Sequence, residues 1–211
     1  YEIMWKAYEK IFDRLKLKYK VVLGDSGAMG GNVSHEFMAL SEVGEGAIVY
    51  CEHCDYAATL EKASVIYKVE NDVEELPVEK VHTPGVTTIE ELERFFGINA
   101  SNFAKAVVYK AAGYPVIAVI PGDRELNETK LGNYWKIAEH ELEMANEDLI
   151  KEITGANKGF TGPVNLKGEV RLLIDSRITK MKNPVTGAND TDYHFKNVNY
   201  GSDFTGDVVD D

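Results

Sequence analysis

The chain has 211 residues, of which 44% are hydrophobic and 27% charged, and its formal net charge is −12 at pH 7. This composition is ordinary for a globular protein, and the length suits one sizeable domain, or one domain with a fragment of another. The acidic balance argues against wrapping a nucleic-acid duplex through phosphate neutralisation. No run of about 18 apolar residues exists, which argues against a membrane-spanning helix.

Tyr1 opens the chain without a methionine and without a basic-then-apolar leader, so we expect no secretory signal and a piece excised from a longer protein. The two cysteines are Cys51 and Cys54, with His53 between them. This CxxC spacing is half of a structural zinc site, which usually needs a second ligand pair. Because the remaining histidines show no pair spacing, we interpret the cysteines as reduced cytosolic thiols and predict no metal.

The first 63 residues predict a small set of helices and strands. Apolar side chains at three-and-four spacing over residues 2–16 predict an amphipathic helix. YKVVLG is a predicted strand, and GDSGAMGGN, residues 24–32, is a glycine-rich loop. SHEFMAL and AIVYCE are further predicted strands, and DYAATLEKA, residues 55–63, is predicted as a short helix.

From about Ser64 the pattern changes. Residues 64–85 are charged and strand-like with two prolines, which indicates a linker that enters a new domain. Thr88 and Glu91 form a capping box that opens a helix, and Gly97 closes it. NFAKAVVYKAAG and PVIAVIPG are predicted strands, joined at GYP as a hairpin, and GDRELNETKL is a turn followed by a helix.

The segment Gly155–Leu166, GANKGFTGPVNL, is too rich in glycine and proline for a helix or a strand. A predicted helix with Asn146 as its N-cap precedes it, and the predicted strand EVRLLID follows it. Such a loop can aim several backbone N–H groups at a phosphate or an oxyanion; the alternative is a tight connection without chemistry. DYHFKNVNY is a last predicted strand. Because short turns join several strands, a mixed sheet or barrel fits better than a purely parallel sheet.

Residues 155–182 hold six basic side chains against two acidic ones, a local charge of +4 in an acidic chain. The basic residues are Lys158, Lys167, Arg171, Arg177, Lys180 and Lys182. A basic patch beside the glycine-rich loop could hold the end of a polyanion. The alternative is a solvated surface that happens to be basic.

Three titratable residues in the predicted strands are candidates for chemistry. Lys105 interrupts an apolar run and shares a strand face with Val107 and Tyr109. A lysine there must reach water or an anion, or it extends out from the strand end as a surface residue. Asp175 ends EVRLLID, where a carboxylate can also simply cap a turn. His194 is compatible with core packing as well as with chemistry.

The first part of the chain resembles the catalytic core of bacterial-type prolyl-tRNA synthetases, through GDSGAMGGNVSHEF, the next strand, the CxxC and DYAATLEKA. In that family the SHEF histidine helps to form the proline pocket, and His35 matches it. The arginine-bearing motifs that hold ATP in class II synthetases are absent. The resemblance therefore implies that residues 1–63 are a core fragment. ATP and Mg serve the parent synthetase and are not expected to bind here.

Residues 64–205 resemble the insertion domain of the same family, a member of the YbaK-like aminoacyl-tRNA deacylases. The match runs in order through TIEELERFFG, the lysine of FAKAVVYKA, GDRELNETK, the G-x-x-x-P loop Gly159–Pro163, LLID, and GAN…HF…N. It implies a mixed α/β fold, with a mixed, largely antiparallel sheet or barrel surrounded by helices, beside a fragment of the antiparallel α+β class II core. Residues 206–211 are expected to be an acidic tail returning toward that core.

The resemblance implies post-transfer editing, the hydrolysis of alanine from mischarged tRNA(Pro), because a proline pocket cannot sterically exclude alanine. It places Lys105 near the terminal adenosine or the ester, and it aims N–H groups of the loop at the carbonyl oxygen. The catalytic residues it implies are Lys105, Gly159, Gly162, Pro163, Asp175 and His194. The substrate-binding residues it implies are Ile89, Leu92, Phe160, Thr161 and Asn199, with Ile89 and Leu92 setting the pocket size.

No Ser-His-Asp set is evident, and the resemblance implies a bound water activated partly by the ribose hydroxyl, with no covalent intermediate and no cofactor. The expected partners are the acceptor end of tRNA(Pro) carrying alanine, and a small amino acid; no membrane is expected. The resemblance also implies a cytoplasmic parent synthetase that forms a homodimer. The competing hypothesis is a non-catalytic appendage that stabilises the synthetase core or positions the tRNA acceptor end.

Overall fold

The computed structural model describes residues 1–25, 33–64 and 73–209. The chain divides into two compact units, Tyr1–Val65 and Ile66–Asp211. Most of the predicted glycine-rich loop at 24–32 and the first part of the predicted linker at 64–85 lie outside the described residues. Within the described ranges, no helix has the length and apolar character needed to cross a membrane.

The described residues of the first unit form one helix, α1 (Glu2–Arg14), and a four-stranded sheet. The strands are β1 (Tyr19–Gly24), β2 (Ser34–Ala39), β3 (Ile48–Tyr50) and β4 (Ala57–Thr59), in the order β2-β1-β4-β3. The sheet is mixed, because β1 pairs antiparallel with β2 and parallel with β4. Trp5 and Phe12 of the helix contact Phe37 at ring-centroid distances of 5.4 and 5.6 Å, which accounts for the amphipathic spacing.

The predicted helix at 55–63 is wrong. Ala57–Thr59 form β4, which pairs with β3 through Ile48↔Thr59 and with β1 through Leu23↔Ala58. Helix propensity favours this alanine-containing segment only weakly, and pairing on both sides with burial of Ala58 overrides it.

The second unit holds three further helices and eight further strands among the described residues. The helices are α2 (Ile89–Phe96), α3 (Glu128–Trp135) and α4 (Glu147–Thr154). The strands are β5 (Glu79–His82), β6 (Ala104–Ala111), β7 (Tyr114–Pro121), β8 (Leu142–Met144), β9 (Arg171–Asp175), β10 (Thr186–Gly187), β11 (Tyr193–Lys196) and β12 (Asp207–Val209).

These strands form a five-stranded sheet in the order β12-β9-β7-β6-β8 and a three-stranded sheet in the order β10-β11-β5. β7 and β12 run parallel to β9, and the other pairs are antiparallel. The predicted mixed, largely antiparallel character is confirmed. The sequence also allowed a barrel, and the pairings found here describe two sheets instead.

The β6–β7 hairpin is confirmed, but its turn lies one step earlier than GYP. Ala111 pairs with Tyr114, so the loop is Ala112-Gly113, with φ of 46° and 90°. Two consecutive residues with positive φ are typical of the type I′ turn that matches the twist of a hairpin. Tyr114 and Pro115 already belong to β7.

The predicted helix ends of the second unit are confirmed. Thr88 and Glu91 form a complete capping box on α2, and Gly97 ends this helix at φ 67°. Asn146 caps α4 by accepting a hydrogen bond from the Leu149 N–H. Gly155 ends α4 at φ 82°, which brings the chain into the glycine-rich loop.

Both faces of the five-stranded sheet are covered. On one face, Val108, Ile117 and Ile174 pack with Ile150 and Ile153 of α4. On the other face, Tyr109 and Leu173 pack with Leu131 of α3. Tyr109 also donates a hydrogen bond to Glu128, and burial raises the pKa of its phenol. This double burial explains the almost continuous apolar runs of β6 and β7.

The segment predicted as an acidic tail, 206–211, contributes a strand. β12 pairs with β9 through Asp207↔Leu173 and Val209↔Asp175, and Arg171 donates a hydrogen bond to Asp207 at 3.1 Å. An acidic composition does not exclude a strand at this position, because an edge strand tolerates charged side chains.

Candidate functional site

A cavity of about 590 Å³ lies at the outer edge of β6. Among the described residues, β8 pairs with β6 only at Tyr109–Ala111, and an isolated bridge joins Phe103 to Val185. The stretch of β6 between these contacts therefore has β7 on one side and the cavity on the other. The helix start of α2, the glycine-rich loop, β10 and β11 complete the walls.

Ala106 presents its backbone N–H and C=O at this open edge. The Ala104 N–H donates to Val185 at 2.8 Å, and the Val108 carbonyl accepts from Ala145 at 3.0 Å. The backbone polar groups of the even-numbered residues in this part of β6 therefore point away from β7. Alternate residues of a strand turn their backbone polar groups to the same side. The cavity thus has main-chain donors and acceptors along one wall.

Lys105 brings a cation to the cavity from the same strand. Its Nζ lies 3.1 Å from Oε1 of Glu125, and its side chain is 20% exposed whereas that of Glu125 is 94% exposed. The ammonium is therefore sheltered and its partner is in water. A solvated carboxylate holds such a pair together only weakly, so an incoming anion can compete for the lysine.

The glycine-rich loop reaches the cavity through Gly159 and Thr161. Gly159 has φ of 100°, and a methyl group on it would lie 2.7 Å from the Cβ of Thr87. Glycine is required there both by the backbone conformation and by the close approach of Thr87. The loop is thereby held against the segment that opens α2.

A second close approach locks the loop against β10. A methyl group on Gly162 would lie 1.8 Å from the carbonyl oxygen of Gly187, and one on Gly187 would lie 2.2 Å from the carbonyl oxygen of Thr161. Two glycines that face each other allow main chain to pack on main chain. The side-chain amide of Asn189 then bonds both backbone groups of Gly162 at 2.9 Å.

His194 lies at the base of the cavity and is 1% exposed. Its Nδ1 is hydrogen-bonded to the Thr83 hydroxyl at 2.7 Å, and its ring packs on Phe160 at 5.5 Å between centroids. Burial lowers the pKa of this imidazole to about 4, against a smaller opposing effect of a hydrogen bond with the Gly159 backbone. The ring is therefore neutral at neutral pH and supports the loop from below.

The apolar wall is formed by Ile89 and Leu92 of α2 together with Phe103 and Val185. Leu92 is 5% exposed and Phe103 is 1% exposed, so this wall is rigidly packed. A wall of this kind can hold a small aliphatic group and exclude water from it.

Six of the predicted site residues meet at this cavity: Ile89, Leu92, Lys105, Gly159, Thr161 and His194. Gly162, Pro163 and Phe160 belong to the loop but do not line the cavity. Phe160 is buried behind the loop against His194. The Gly162 N–H is already bonded to Asn189, so it is not available to a ligand in this structure.

Asp175 and Asn199 do not line the cavity. Asp175 is bonded to Arg177 through the guanidinium and the backbone N–H. Asn199 is 2% exposed and accepts a hydrogen bond from the Asn183 N–H at 2.8 Å. Both residues fix local turns, which is the alternative that the sequence left open for Asp175.

The remaining predicted site residue, His35, lies in the first unit. It hydrogen-bonds Tyr1 through Nδ1 at 2.7 Å and packs edge-on against Trp5. Cys51 and Cys54 are free thiols, and a backbone hydrogen bond from His53 lowers the pKa of Cys51. Over the ranges that the structure describes, no group of three or more potential ligand side chains is placed to hold a metal.

The predicted basic patch is partly neutralised. Arg171 pairs with Asp207, Arg177 with Asp175, and Lys182 with Glu75. Of the six basic residues, Lys158 lines the cavity. The net positive charge that can contact a ligand is therefore smaller than the local charge of +4 counted from the sequence.

Several cavity residues were missed by sequence reasoning, among them Phe103, Glu125, Thr186 and Gly187. Glu125 lies in GDRELNETK and Gly187 begins GAN, two segments that carry the family resemblance. The resemblance did not indicate which residues within these segments face the cavity. Thr186 carried no signal at all, because a threonine before a glycine is common in strands and turns.

Fold and site together define a class of protein: a mixed α/β domain that brings a sheltered cation, loop amides and an apolar wall to one cavity. A family model described as the aminoacyl-tRNA editing domain matches residues 83–203, more than half of the chain. The chain belongs to the aminoacyl-tRNA editing domain family.

Two curated relatives extend the similarity over the whole chain. It is 55% identical over 212 residues to a proline–tRNA ligase of Finegoldia magna and 53% identical over 208 residues to one of a Thermoanaerobacter species. These matches cover 100% and 99% of the chain. The chain spans 36% of the length of each relative.

The fold also recurs in a solved structure. The crystal structure of a protein described as a candidate trans-editing enzyme for prolyl tRNA synthetase superposes with a TM-score of 0.50. The match covers 56% of this chain and 74% of that one, at 17% identity. At this identity the likeness concerns the fold alone.

Proposed function

We propose that the second unit hydrolyses the ester that joins alanine to tRNA(Pro), as the post-transfer editing domain of a prolyl-tRNA synthetase. One observation carries the proposal: Lys105 meets Gly159 and Thr161 of the glycine-rich loop at a single cavity with an apolar wall. The lysine suits the polyanionic acceptor end, the loop amides suit the ester carbonyl, and the wall suits the methyl group of alanine.

The loop amides would stabilise the charge that develops on the carbonyl oxygen when water attacks. Because the Gly162 N–H is bonded to Asn189 and Pro163 has no N–H, we assign this role to the N–H groups of Gly159 and Thr161. One preorganised donor of this kind typically contributes about 10²- to 10³-fold in rate. Their rigid support by Thr87 and Gly187 favours such preorganisation.

The cavity is larger than an alanine side chain needs. Its volume of about 590 Å³ lies within the range of about 300–1,000 Å³ for small-molecule sites. It can therefore hold the aminoacyl group together with part of the terminal adenosine. Selection against proline would fall to the apolar wall of Ile89, Leu92 and Phe103, whose close packing resists expansion.

The attacking group would be a bound water activated partly by the ribose hydroxyl, without a covalent intermediate and without a cofactor. His194 is neutral and buried, so it does not supply a charged acid at neutral pH. Asp175 is occupied by Arg177. The roles we assign are therefore Lys105 for the acceptor end, the loop for the oxyanion, and His194 for support of the loop.

The parent protein would be a cytoplasmic, homodimeric synthetase that uses ATP and Mg to attach proline. In this proposal, residues 1–63 are a fragment of its class II core, with His35 at the proline pocket, and residues 64–205 with β12 are the editing domain. The high identity to proline–tRNA ligases over the whole chain supports this arrangement.

The test is the rate of hydrolysis of Ala-, Cys- and Pro-tRNA(Pro) by the chain, compared with buffer. We expect faster release of alanine and no effect on proline. Lys105→Ala should abolish the effect with the fold intact, whereas Lys110→Ala, at an exposed position of the same strand, should not. Wild-type activity of Lys105→Ala would remove that residue from the site. A chain that binds Ala-tRNA(Pro) but leaves it as stable as in buffer would be a non-catalytic appendage.

A further inference from the structure

The loop between β3 and β4 carries both cysteines of the chain, Cys51 and Cys54. The Cys51 N–H donates a hydrogen bond to the Tyr56 carbonyl at 2.8 Å, which closes the loop where the two strands begin to pair. Cys54 is exposed, whereas Cys51 is half-buried, and both are free thiols. The loop therefore holds one sheltered and one accessible sulfur within a few residues.

The Cys51 sulfur accepts several hydrogen bonds from its own loop. The His53 N–H donates to Cys51 Sγ at 3.4 Å, and both the backbone N–H and the thiol of Cys54 are hydrogen-bonded to the same sulfur. Lys20 adds a nearby positive charge; its Nζ lies 5.2 Å from the ring centroid of Tyr50, the residue before Cys51. The hydrogen bond from His53 is the largest of the effects that lower the pKa of Cys51, because all of them stabilise its thiolate.

Two thiols in contact within one loop suit either a metal ion or a disulfide, and the surroundings favour the disulfide. A structural zinc ion takes four ligands. Across the part of the chain that the structure describes, no three potential ligand side chains are placed together. A disulfide needs only two sulfurs, one of which must be a thiolate for exchange to begin. Cys51 is suited to attack because its thiolate is stabilised, and Cys54 is in place to complete the bond.

We propose that Cys51 and Cys54 form a thiol–disulfide exchange site that reacts with low-molecular-weight disulfides. The Cys51 thiolate attacks one sulfur of the small disulfide, whose S–S bond breaks, and the first small thiol leaves after it takes up a proton. Cys54 then gives up its proton, and its sulfur attacks that of Cys51 and releases the second small thiol. Two protein thiols are thereby oxidised to one disulfide, while the small disulfide is reduced to two thiols. This site lies in the first unit and does not depend on the proposed editing function.

The experiment treats the whole chain and two variants with glutathione disulfide at neutral pH. Cys54→Ser keeps the attacking thiol and removes the one that completes the disulfide, and Cys51→Ser does the reverse. Because the chain has only these two cysteines, the intact mass and the free-thiol count identify every product. The same three proteins are also treated in denaturant, where the hydrogen bonds of the loop are lost.

We expect the wild type to lose both free thiols and to retain no glutathione, in a reaction that dithiothreitol reverses. Cys54→Ser should retain one glutathione on Cys51, because no second thiol can release it. Cys51→Ser should react at least about three-fold more slowly than Cys54→Ser, since its remaining thiol lacks the donors that stabilise a thiolate. In denaturant the two variants should react at the same rate.

Three results would overturn the inference. A wild-type chain that retains a glutathione on each cysteine would show that the two thiols do not exchange with each other. Equal rates for the two folded variants would show that the loop does not activate Cys51. Zn²⁺ bound to the purified wild type, with both thiols protected from glutathione disulfide, would make the loop a metal site instead.

Discussion

Asn189 binds both backbone polar groups of Gly162 through one side-chain amide. The Gly162 N–H donates to Oδ1 at 2.9 Å, and Nδ2 donates to the Gly162 carbonyl at 2.9 Å. Nδ2 also donates to the Val164 carbonyl at 2.6 Å. Asn189 follows β10, so this amide ties the glycine-rich loop to the strands that carry Thr186 and His194. These three hydrogen bonds hold the main chain of the loop in one conformation.

We predict that Asn189→Ala destabilises the protein and abolishes editing. The substitution leaves the buried N–H and C=O of Gly162 without partners, and each such loss typically costs about 1–3 kcal/mol. We therefore expect the free energy of unfolding, measured by chemical denaturation, to fall by about 2–6 kcal/mol. Asn133→Ala, at an exposed position of α3, is the control and should change stability far less. Equal effects of the two substitutions would show that the loop does not depend on Asn189.

The contact between Gly162 and Gly187 leads to a second prediction. A methyl group at Gly162 would lie 1.8 Å from a backbone oxygen, which no rotation of a side chain can relieve. We expect Gly162→Ala to lower the free energy of unfolding by about 3 kcal/mol or more through backbone displacement. Gly85→Ala is the control, since Gly85 has φ of 69° but nothing within 4 Å of the added methyl group. That substitution should cost only about 1 kcal/mol, and a larger loss there than at Gly162 would contradict the packing described.

Local signals predicted the helix ends and the hairpin because the residues concerned act within a few positions of each other. Thr88 and Glu91 form their capping box within one turn, and Gly97 and Gly155 adopt positive φ at the helix ends. The strand at Ala57–Thr59 was missed because its cause is pairing with neighbouring strands, including β1, which lies far away in sequence. β12 was missed for the same reason.

For the candidate site too, the sequence predicted some features and missed others. The family pattern names Lys105, Gly159 and His194, and these three residues line the cavity because the pattern marks segments that approach one another. It could not distinguish residues that face the cavity from residues that support it, such as Gly162. Asp175 has the same residue type as a catalytic carboxylate, and only its bonds to Arg177 reveal a local role.

The buried imidazole of His194 predicts a loss of stability in mild acid. Its pKa is lowered by burial to about 4, whereas in the unfolded chain it should be near the ordinary value of about 6.5. Between these values the unfolded state binds a proton that the folded state does not. The free energy of unfolding should therefore fall as the pH drops from about 6.5 to 4, by about 3 kcal/mol from this residue.

Denaturation curves between pH 7 and pH 4 measure this effect. In His194→Gln the contribution should disappear, so that the slope of stability against pH is shallower over this interval than in the wild type. His140→Gln, at an exposed position, should leave the slope unchanged. An unchanged slope in His194→Gln would mean that the imidazole is accessible to protons in the folded state.

The pairing of Lys105 with Glu125 leads to the last prediction, which concerns Glu125→Gln. Because the Glu125 side chain is 94% exposed, the pair should contribute less than about 1 kcal/mol to stability. Its removal would release the lysine ammonium for the anionic acceptor end. We therefore expect the KM for Ala-tRNA(Pro) to fall about two- to five-fold at low ionic strength with kcat unchanged, and the difference to vanish in higher salt as screening grows. Glu143→Gln, an exposed carboxylate on β8 outside the cavity, should not alter KM. If Glu125→Gln instead lost activity as Lys105→Ala is expected to, the carboxylate would be required to position the lysine rather than compete for it.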